Sequence, residues 1–276
     1  MKTLYLSDLD GTLLCANAQV SEYTTGVVNR FIQSGGYFSY ATARSIVSAS
    51  RVTDGLRWKH PVICFNGAFI NDPVTHNPLV SNFFTQDEST YIQKILTEHK
   101  IFPIVFAFIN GKERVSYMPR YMTPPMQVYF DMRPGDVRFR PVDDVDALFQ
   151  GDVIHFHCYG PVEALSKVNA LCNADPRLNS ILSEDFYANA PVCDLMTSRA
   201  TKASAALKLK TMLGCERLVV FGDALNDMSM FSVADESYAM ANAVPELCKI
   251  ATAVIDSNDY DGVARWLEKH AFVRFL

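Results

Sequence analysis

The chain has no apolar run of membrane-spanning length. Its greasiest stretch, "IFPIVFAFI", is about half of the roughly 20 residues a bilayer requires. The opening "MKTLYLSDLD" carries one lysine and reaches acidic residues too soon to be expected as a secretory leader. Basic residues are in deficit, 25 Lys and Arg against 30 Asp and Glu, and the net charge of -5 removes the electrostatic ground for a nucleic-acid partner. No C-x-x-C pair occurs among the seven cysteines, and their odd number favours reduced thiols over a disulfide framework, hence a cytoplasmic protein. Internal repeats and low-complexity linkers are also missing. What remains is 49% hydrophobic and 20% charged over 276 residues, enough for one large domain or two unequal ones.

Periodicity divides the chain in three. Leu4-Tyr5-Leu6 is a short apolar run leading into acids, as a buried parallel strand would. In "SEYTTGVVNRFIQSGG", Val27, Val28, Phe31 and Ile32 recur at helical spacing, and Gly35-Gly36 ends the helix. "YFSYATAR" predicts a second strand, "SIVSASRVTDGL" a weaker helix, and "PVICFNGAFI" a third strand with Asn66-Gly67 inside or just after it. Strand and helix in alternation predict an α/β fold with a doubly wound, Rossmann-like parallel sheet. From about Phe84 to Asn189 the segments shorten and grow richer in proline and aromatics, which predicts an inserted α+β cap domain. Beyond Pro191 the first pattern returns, with "RLVVFGD" as the fourth core strand. The expected division is therefore a core of residues 1–83 and 190–276 and a cap of residues 84–189.

Parallel strands of such a sheet end on one edge, where ligands bind. Asp8 and Asp10 follow the first strand, Thr42 the second, and Asp223 with Asp227 the fourth, so four carboxylates are predicted to converge. Clustered carboxylates repel and are costly to desolvate, which calls for a cation, and hard oxygen ligands favour Mg²⁺ over zinc. A magnesium ion draws in phosphate oxygens, which Lys202 and the Thr42 hydroxyl would neutralise and orient. Turn amides after Leu9 and around Thr42-Ala43 would add hydrogen bonds to that anion.

"DLDGT", "ATAR", Lys202 and "GDALND" resemble, in this order, the four motifs of the haloacid dehalogenase superfamily. The large insert between the second and third motifs resembles its Cof-type phosphatases, and "FNGAFI", "YAMANA" and "NDYDGVARWL" extend the similarity over nearly the whole chain. The resemblance implies that Asp8 is a nucleophile forming an aspartyl-phosphate, and that Asp10 protonates the leaving oxygen and then deprotonates water. It implies Mg²⁺ held by Asp8, the Asp10 carbonyl and Asp223, with Asp227 acting through water. Thr42, Ala43, Lys202 and Asn226 would contact the phosphate, Gly11 would permit the turn, and Thr12 would brace it. Ala43 stands where the second motif more often has glycine, and Ala203 where glycine usually follows the lysine; neither change removes a reacting group. The implied activity is a Mg²⁺-dependent phosphatase acting on small phosphorylated metabolites, sugar phosphates first, then pyridoxal phosphate or nucleotides. A phosphomutase with the same nucleophile and a non-catalytic phosphometabolite binder are the alternatives. A receiver-type signalling domain also clusters acids, Thr and Lys, but it does not accommodate so large an insert.

Other residues read less sharply. Arg44 is either a substrate or cap contact or a surface ion pair, and Asn66 either a turn former or a ligand. His155 and His157 face one way on the alternating "DVIHFHCYG". With no further His or Cys at ligand spacing there, packing or surface positions are expected rather than a metal site. Cys158 and Cys193 read as buried small hydrophobes, and Arg199 with Lys202 as an anion preference or a solvated run. Oligomeric state has no signal in the sequence.

Overall fold

The computed structural model describes residues 1–185 and 187–272. They fall into two compact units, Met1–Ser81 with Ala200–Leu276, and Asn82–Arg199. The first unit opens with β1 (Thr3–Ser7), α1 (Glu22–Gln33), β2 (Tyr37–Tyr40), α2 (Ile46–Val52), β3 (Val62–Cys64), β4 (Phe69–Asn71) and β5 (Pro78–Ser81). The second contains α3 (Gln86–Glu98), β6 (Ile104–Ile109), β7 (Lys112–Tyr117), α4 (Pro124–Asp131) and β8 (Phe139–Pro141). It continues with α5 (Val145–Leu148), β9 (Asp152–Tyr159), α6 (Val162–Ala174), β10 (Leu178–Asp185) and β11 (Ala190–Thr197). The first unit resumes with α7 (Lys202–Met212), β12 (Arg217–Gly222), α8 (Met228–Val233) and β13 (Glu236–Met240). It closes with α9 (Pro245–Ile250), β14 (Ala253–Ile255) and α10 (Gly262–His270).

The first unit is built on a five-stranded parallel sheet in the order β14-β13-β12-β1-β2. All five residues of β1 are buried, because the strand is central and covered on both faces. Leu4 and Leu6 pack with Ala205, Leu209, Leu218 and Val220 on one side. Tyr5 turns to the other side, against Phe31 at 5.3 Å and Trp266 at 6.0 Å. The strand order reverses direction at the β1/β12 pair, so the topological switch point falls where Asp8 and Asp223 leave the sheet.

The expected third core strand takes a different form. β3 touches the parallel sheet through a single bridge, Ala41 to Ile63, and belongs to an antiparallel sheet β3-β4-β5. The turn Phe65–Gly67 ends β3 after three residues and reverses the chain, because Phe65, Asn66 and Gly67 all take positive φ.

The second unit carries a six-stranded sheet, β10-β11-β9-β6-β7-β8. One face is covered by α3 and α6, whose Ile92, Ile95, Leu96, Leu165, Val168 and Cys172 share a core with Phe156, Cys158, Cys193 and Leu195. α3 starts with a capping box between Thr85 and Glu88, and Glu88 also binds Arg199 through two short hydrogen bonds, 2.7 and 2.8 Å. Arg199 is therefore an ion-pair partner of Glu88. Residues 190–199, assigned to the core on pattern, are in this unit: β11 pairs with both β10 and β9. No helix among the described residues is long and apolar enough to cross a membrane. The seven cysteines form no disulfide among the described residues.

Candidate active site

Asp8 continues the β1 ladder by one residue, its amide donating to the Phe221 carbonyl at 3.0 Å. The backbone then winds into a tight turn, Leu9–Leu13, closed by the Leu14 amide on the Leu9 carbonyl at 2.8 Å. Gly11 has φ 74, and a Cβ there would lie 2.3 Å from Asp223 Oδ2, so only glycine lets the turn approach that carboxylate. Thr12, buried beneath, donates its hydroxyl to Asp223 Oδ1 at 2.7 Å. Asn242 holds the turn from outside, its amide donating to the Gly11 carbonyl at 2.8 Å.

Lys202 is the first residue of α7, whose start is fixed by the Thr201 side chain accepting from the Ser204 amide. The lysine is only 1% exposed. Its ammonium donates to Asp8 Oδ1 at 2.6 Å and to Asp227 Oδ1 at 2.7 Å. Asp227 Oδ2 accepts the main-chain N–H groups of Asp223 and Ala224 at 2.9 and 3.1 Å. Oxygens of Asp8, Asp223 and Asp227 all lie within 4.8 Å of one another.

The electrostatics follow from two buried acids, Asp8 and Asp227, sharing one base, with the half-buried Asp223 beside them. Burial pushes the Asp8 carboxyl well above the usual carboxylate range; Lys202 opposes this, while Asp227, Asp223 and Asp10 reinforce it. Burial likewise raises Asp223 to about 6, with the Thr12 hydrogen bond acting against it and the charge of Asp227 adding to it. Burial alone would strip the proton from Lys202, but Asp227 and Asp8 outweigh it and hold that proton more tightly than in free lysine.

Asp10 is placed apart from this group. Its residue sits in the turn rather than on an extended strand, and its exposed carboxylate is clasped by Arg44, Nε to Oδ2 at 2.7 Å and Nη2 to Oδ1 at 2.5 Å. Three of the four expected carboxylates thus come together, and the fourth stands at the rim in a bidentate ion pair. Arg44 also reaches Ser48 Oγ at 3.1 Å. Thr42 is fully buried at the end of β2, where its amide donates to the Ile63 carbonyl and its hydroxyl oxygen accepts the Arg44 amide. Ala43 beside it is exposed, and Leu9 is fully buried.

The Asn66 turn latches onto this segment: the Asn66 amide donates to the Thr42 carbonyl at 2.9 Å and the Phe65 amide to the Arg44 carbonyl at 3.0 Å. Asn66 Oδ1 accepts from Asn226 Nδ2 at 3.1 Å, so these two asparagines form one hydrogen-bonded pair. Gly67, at φ 106, leaves no room for a side chain, since a Cβ would meet the Thr201 carbonyl oxygen at 2.2 Å. The backbone before Lys202 is thereby wedged against the Asn66 turn. Two contacts escaped the sequence reading. Asn242 was visible only as part of "YAMANA", and nothing in its spacing announces a grip on Gly11; the Gly67–Thr201 contact joins segments far apart in the chain.

A parallel sheet with acids and a buried lysine gathered at its switch point defines an α/β protein with its ligand-binding edge at the strand ends. The particular family is identifiable. The model of the haloacid dehalogenase-like hydrolases matches residues 5–267, and the chain belongs to that family. Relatives include the 5-amino-6-(5-phospho-D-ribitylamino)uracil phosphatase YitU of Bacillus subtilis, 27% identical with 95% of each chain covered. A second enzyme of the same name and organism, YwtE, is 23% identical, covering 95% of this chain and 96% of its own. Among solved structures, a haloacid dehalogenase-like hydrolase from B. subtilis superposes with a TM-score of 0.80 at 23% identity, covering 98% of this chain and 100% of the other.

Proposed function

We propose that this chain is a phosphatase that passes the phosphoryl group of a small phosphorylated metabolite first to Asp8 and then to water. The observation that carries the reading is the buried Asp8–Lys202–Asp227 contact, with hydrogen bonds of 2.6 and 2.7 Å, set against Asp223 at the switch point. Lys202 fixes Asp8 Oδ1, so the other carboxylate oxygen is presented to phosphorus. As that P–O bond forms, the ester P–O bond breaks and Asp10 gives its proton to the departing oxygen. Asp10 then takes a proton from water, which attacks the aspartyl-phosphate, releasing inorganic phosphate and restoring Asp8. Arg44 pairs with the ionised form of Asp10, so its two hydrogen bonds must be released before Asp10 carries the proton it donates. Thr42, the Ala43 and Leu9 amides, Lys202 and Asn226 bind the phosphoryl oxygens, Asn226 being oriented by Asn66.

The donor set suits Mg²⁺: it is all oxygen, and three carboxylates meet one lysine there, so burial holds Asp8 and Asp223 toward protonation until a further cation offsets their charge. Asp8, the Asp10 carbonyl and Asp223 would hold the ion. Asp227 stands behind them, because Lys202 and two main-chain amides already occupy its oxygens. When bound, Mg²⁺ supplies charge neutralisation at the transferring phosphoryl group. The seven free thiols fit a reducing, cytoplasmic setting.

The Bacillus relatives are named for a phosphate ester on a ribityl chain. Polyol and sugar phosphates are therefore the first substrate class, with pyridoxal phosphate and nucleotides after them. The test is phosphate release from a panel of these esters, with and without Mg²⁺, for the native chain and Asp8→Asn. Release that requires both Mg²⁺ and Asp8 supports the reading; folded protein that releases no phosphate from any member overturns it.

A further inference from the structure

The second unit holds a side-chain cluster that phosphoryl transfer does not use. Along β9, Phe156 and Cys158 enter the core beneath α3 and α6, which turns His155 and His157 to the opposite face of the sheet. β11 runs antiparallel beside β9 with Asp194 directly opposite His157. One oxygen, Asp194 Oδ1, consequently lies 2.8 Å from His155 Nε2 and 2.6 Å from His157 Nδ1. The three ligand atoms sit within 4.8 Å of one another.

Counting protons shows what this arrangement asks for. The Asp185 carboxylate accepts the Tyr187 and Ala188 amides on Oδ1 and the Tyr159 hydroxyl on Oδ2, the last at 2.6 Å. Tyr159 has one hydroxyl proton, and it is committed to Asp185. His157 Nε2, 3.0 Å from the Tyr159 oxygen, must then be the donor in that contact. A neutral His157 carrying its proton on Nε2 aims a lone pair from Nδ1 at a carboxylate oxygen 2.6 Å away. Two lone pairs at that distance repel unless a positive species lies between them. An extra proton is one such species and a metal ion is the other. The surroundings favour the metal. The Nε2–H to Tyr159 to Asp185 chain is the outer-shell arrangement that orients a metal-binding imidazole through its second nitrogen. The same carboxylate oxygen also meets a second imidazole, whose ring is stacked on Phe106 at 5.3 Å. A tetrahedral ion about 2.0 Å from each atom sets neighbouring ligands roughly 3.3 Å apart, so the Asp194 contacts to His155 and His157 would lengthen by about 0.5 and 0.7 Å.

We propose that His155, His157 and Asp194 form a three-ligand site for a divalent transition ion of the zinc class, with one position left for water or an oxygen-bearing ligand. Two imidazoles and a carboxylate select such an ion over Mg²⁺. Side-chain exposures of 14, 14 and 22% give the ion and its fourth ligand a route from solvent.

The test uses tag-free, chelator-treated full chain titrated with Co²⁺ and then Zn²⁺, read by visible absorption and metal analysis. One equivalent of Co²⁺ should give intense tetrahedral bands that Zn²⁺ abolishes by displacement. His157→Gln and Asp194→Asn should each weaken binding at least tenfold, and Asp8→Asn should leave it unchanged. Tyr159→Phe should weaken it by about 10-fold, the lower end of the usual outer-shell loss, without altering the bands. Imidazole nitrogen NMR of the native chain removes any dependence on variant folding: zinc should move the resonances of His155 and His157 and no other histidine. The proposal is overturned by absence of cobalt bands at equivalence, or by bands that persist in His157→Gln and vanish in Asp8→Asn. Imidazolium signals from both histidines that zinc does not perturb overturn it equally, leaving an ion pair.

Discussion

In the first unit, Asp8, Asp223 and Asp227 crowd around a single buried ammonium; in the second, one carboxylate serves two imidazoles. Burial pushes Asp8, Asp223 and Asp194 toward protonation, but the balance of partners decides the outcome. Around Lys202, Asp8 and Asp223 stay above the usual carboxylate range. Asp194 also suffers burial, yet His157 and His155 reverse the effect and hold it well below that range. Excess oxygen charge in a dry site invites a hard cation, whereas a nitrogen-rich set suits a softer one. The positive charge at Lys202 belongs to the chain itself, whereas the Asp194 cluster would take its charge from a bound ion.

The largest expected effect separates the clusters by chemistry. Asp8→Asn should lower phosphate release by at least about 10³-fold with thermal unfolding unchanged, because it removes the nucleophile and keeps the side-chain shape. Residual turnover within tenfold of native would remove Asp8 from that role. Next in size is a contrast in stability. Lys202→Met leaves Asp8 and Asp227 buried without a counter-charge, a loss of about 3–5 kcal/mol. His157→Gln should cost only about 1 kcal/mol, since Asp194 is partly exposed and keeps His155. Denaturant titration of both variants checks this, and a larger loss for His157→Gln would break the comparison.

The two clusters also differed in how far the sequence disclosed them. Asp8, Asp223, Asp227 and Lys202 were legible because acids at strand ends and a lysine at a helix start are local patterns, and a parallel sheet gathers strand ends by itself. The His155–His157 face was legible from alternation, but its third member was not. Asp194 meets His157 through a register set by two antiparallel strands, and residues 190–197 read as core because their apolar alternation looks alike in either unit. Asp10 was placed with the other acids on the assumption of extended backbone; the tight turn at Leu9–Leu13 moved it to Arg44. The Asn66 turn hid in a continuous apolar run, where periodicity cannot distinguish one strand from a three-residue strand, a reversal and a second strand.

Asp223 gives the oxygen-rich cluster a pH signature that the Asp194 cluster should not share. Its carboxyl is raised to about 6 in the folded chain, from an ordinary 3.8, so folding favours the protonated form. In the metal-free protein this contribution is fully present below pH about 4 and is lost as pH rises through about 6. A bound cation favours the ionised form, so stabilisation by Mg²⁺ should grow over the same window. Thermal shifts should be small near pH 5 and larger near pH 7.5, and Asp223→Asn should remove the part of this dependence centred near pH 6, leaving the part due to Asp8. A Mg²⁺ shift that is flat with pH in the native chain would disconnect Asp223 from the ion.

Thr12→Val is the finest version of this test, because it changes one hydrogen bond and almost no volume. The buried hydroxyl donates to Asp223 Oδ1 at 2.7 Å and holds that carboxyl lower than burial alone would. Without it the Asp223 carboxyl rises further, and the Mg²⁺ window moves to higher pH. Affinity near pH 6 should drop several-fold, in line with about 1 kcal/mol for one hydrogen bond, while near pH 8 native and variant should converge. Calorimetric Mg²⁺ titration at the two pH values decides it. Equal losses at both would mean that Thr12 shapes the turn around Gly11 and leaves the protonation of Asp223 untouched.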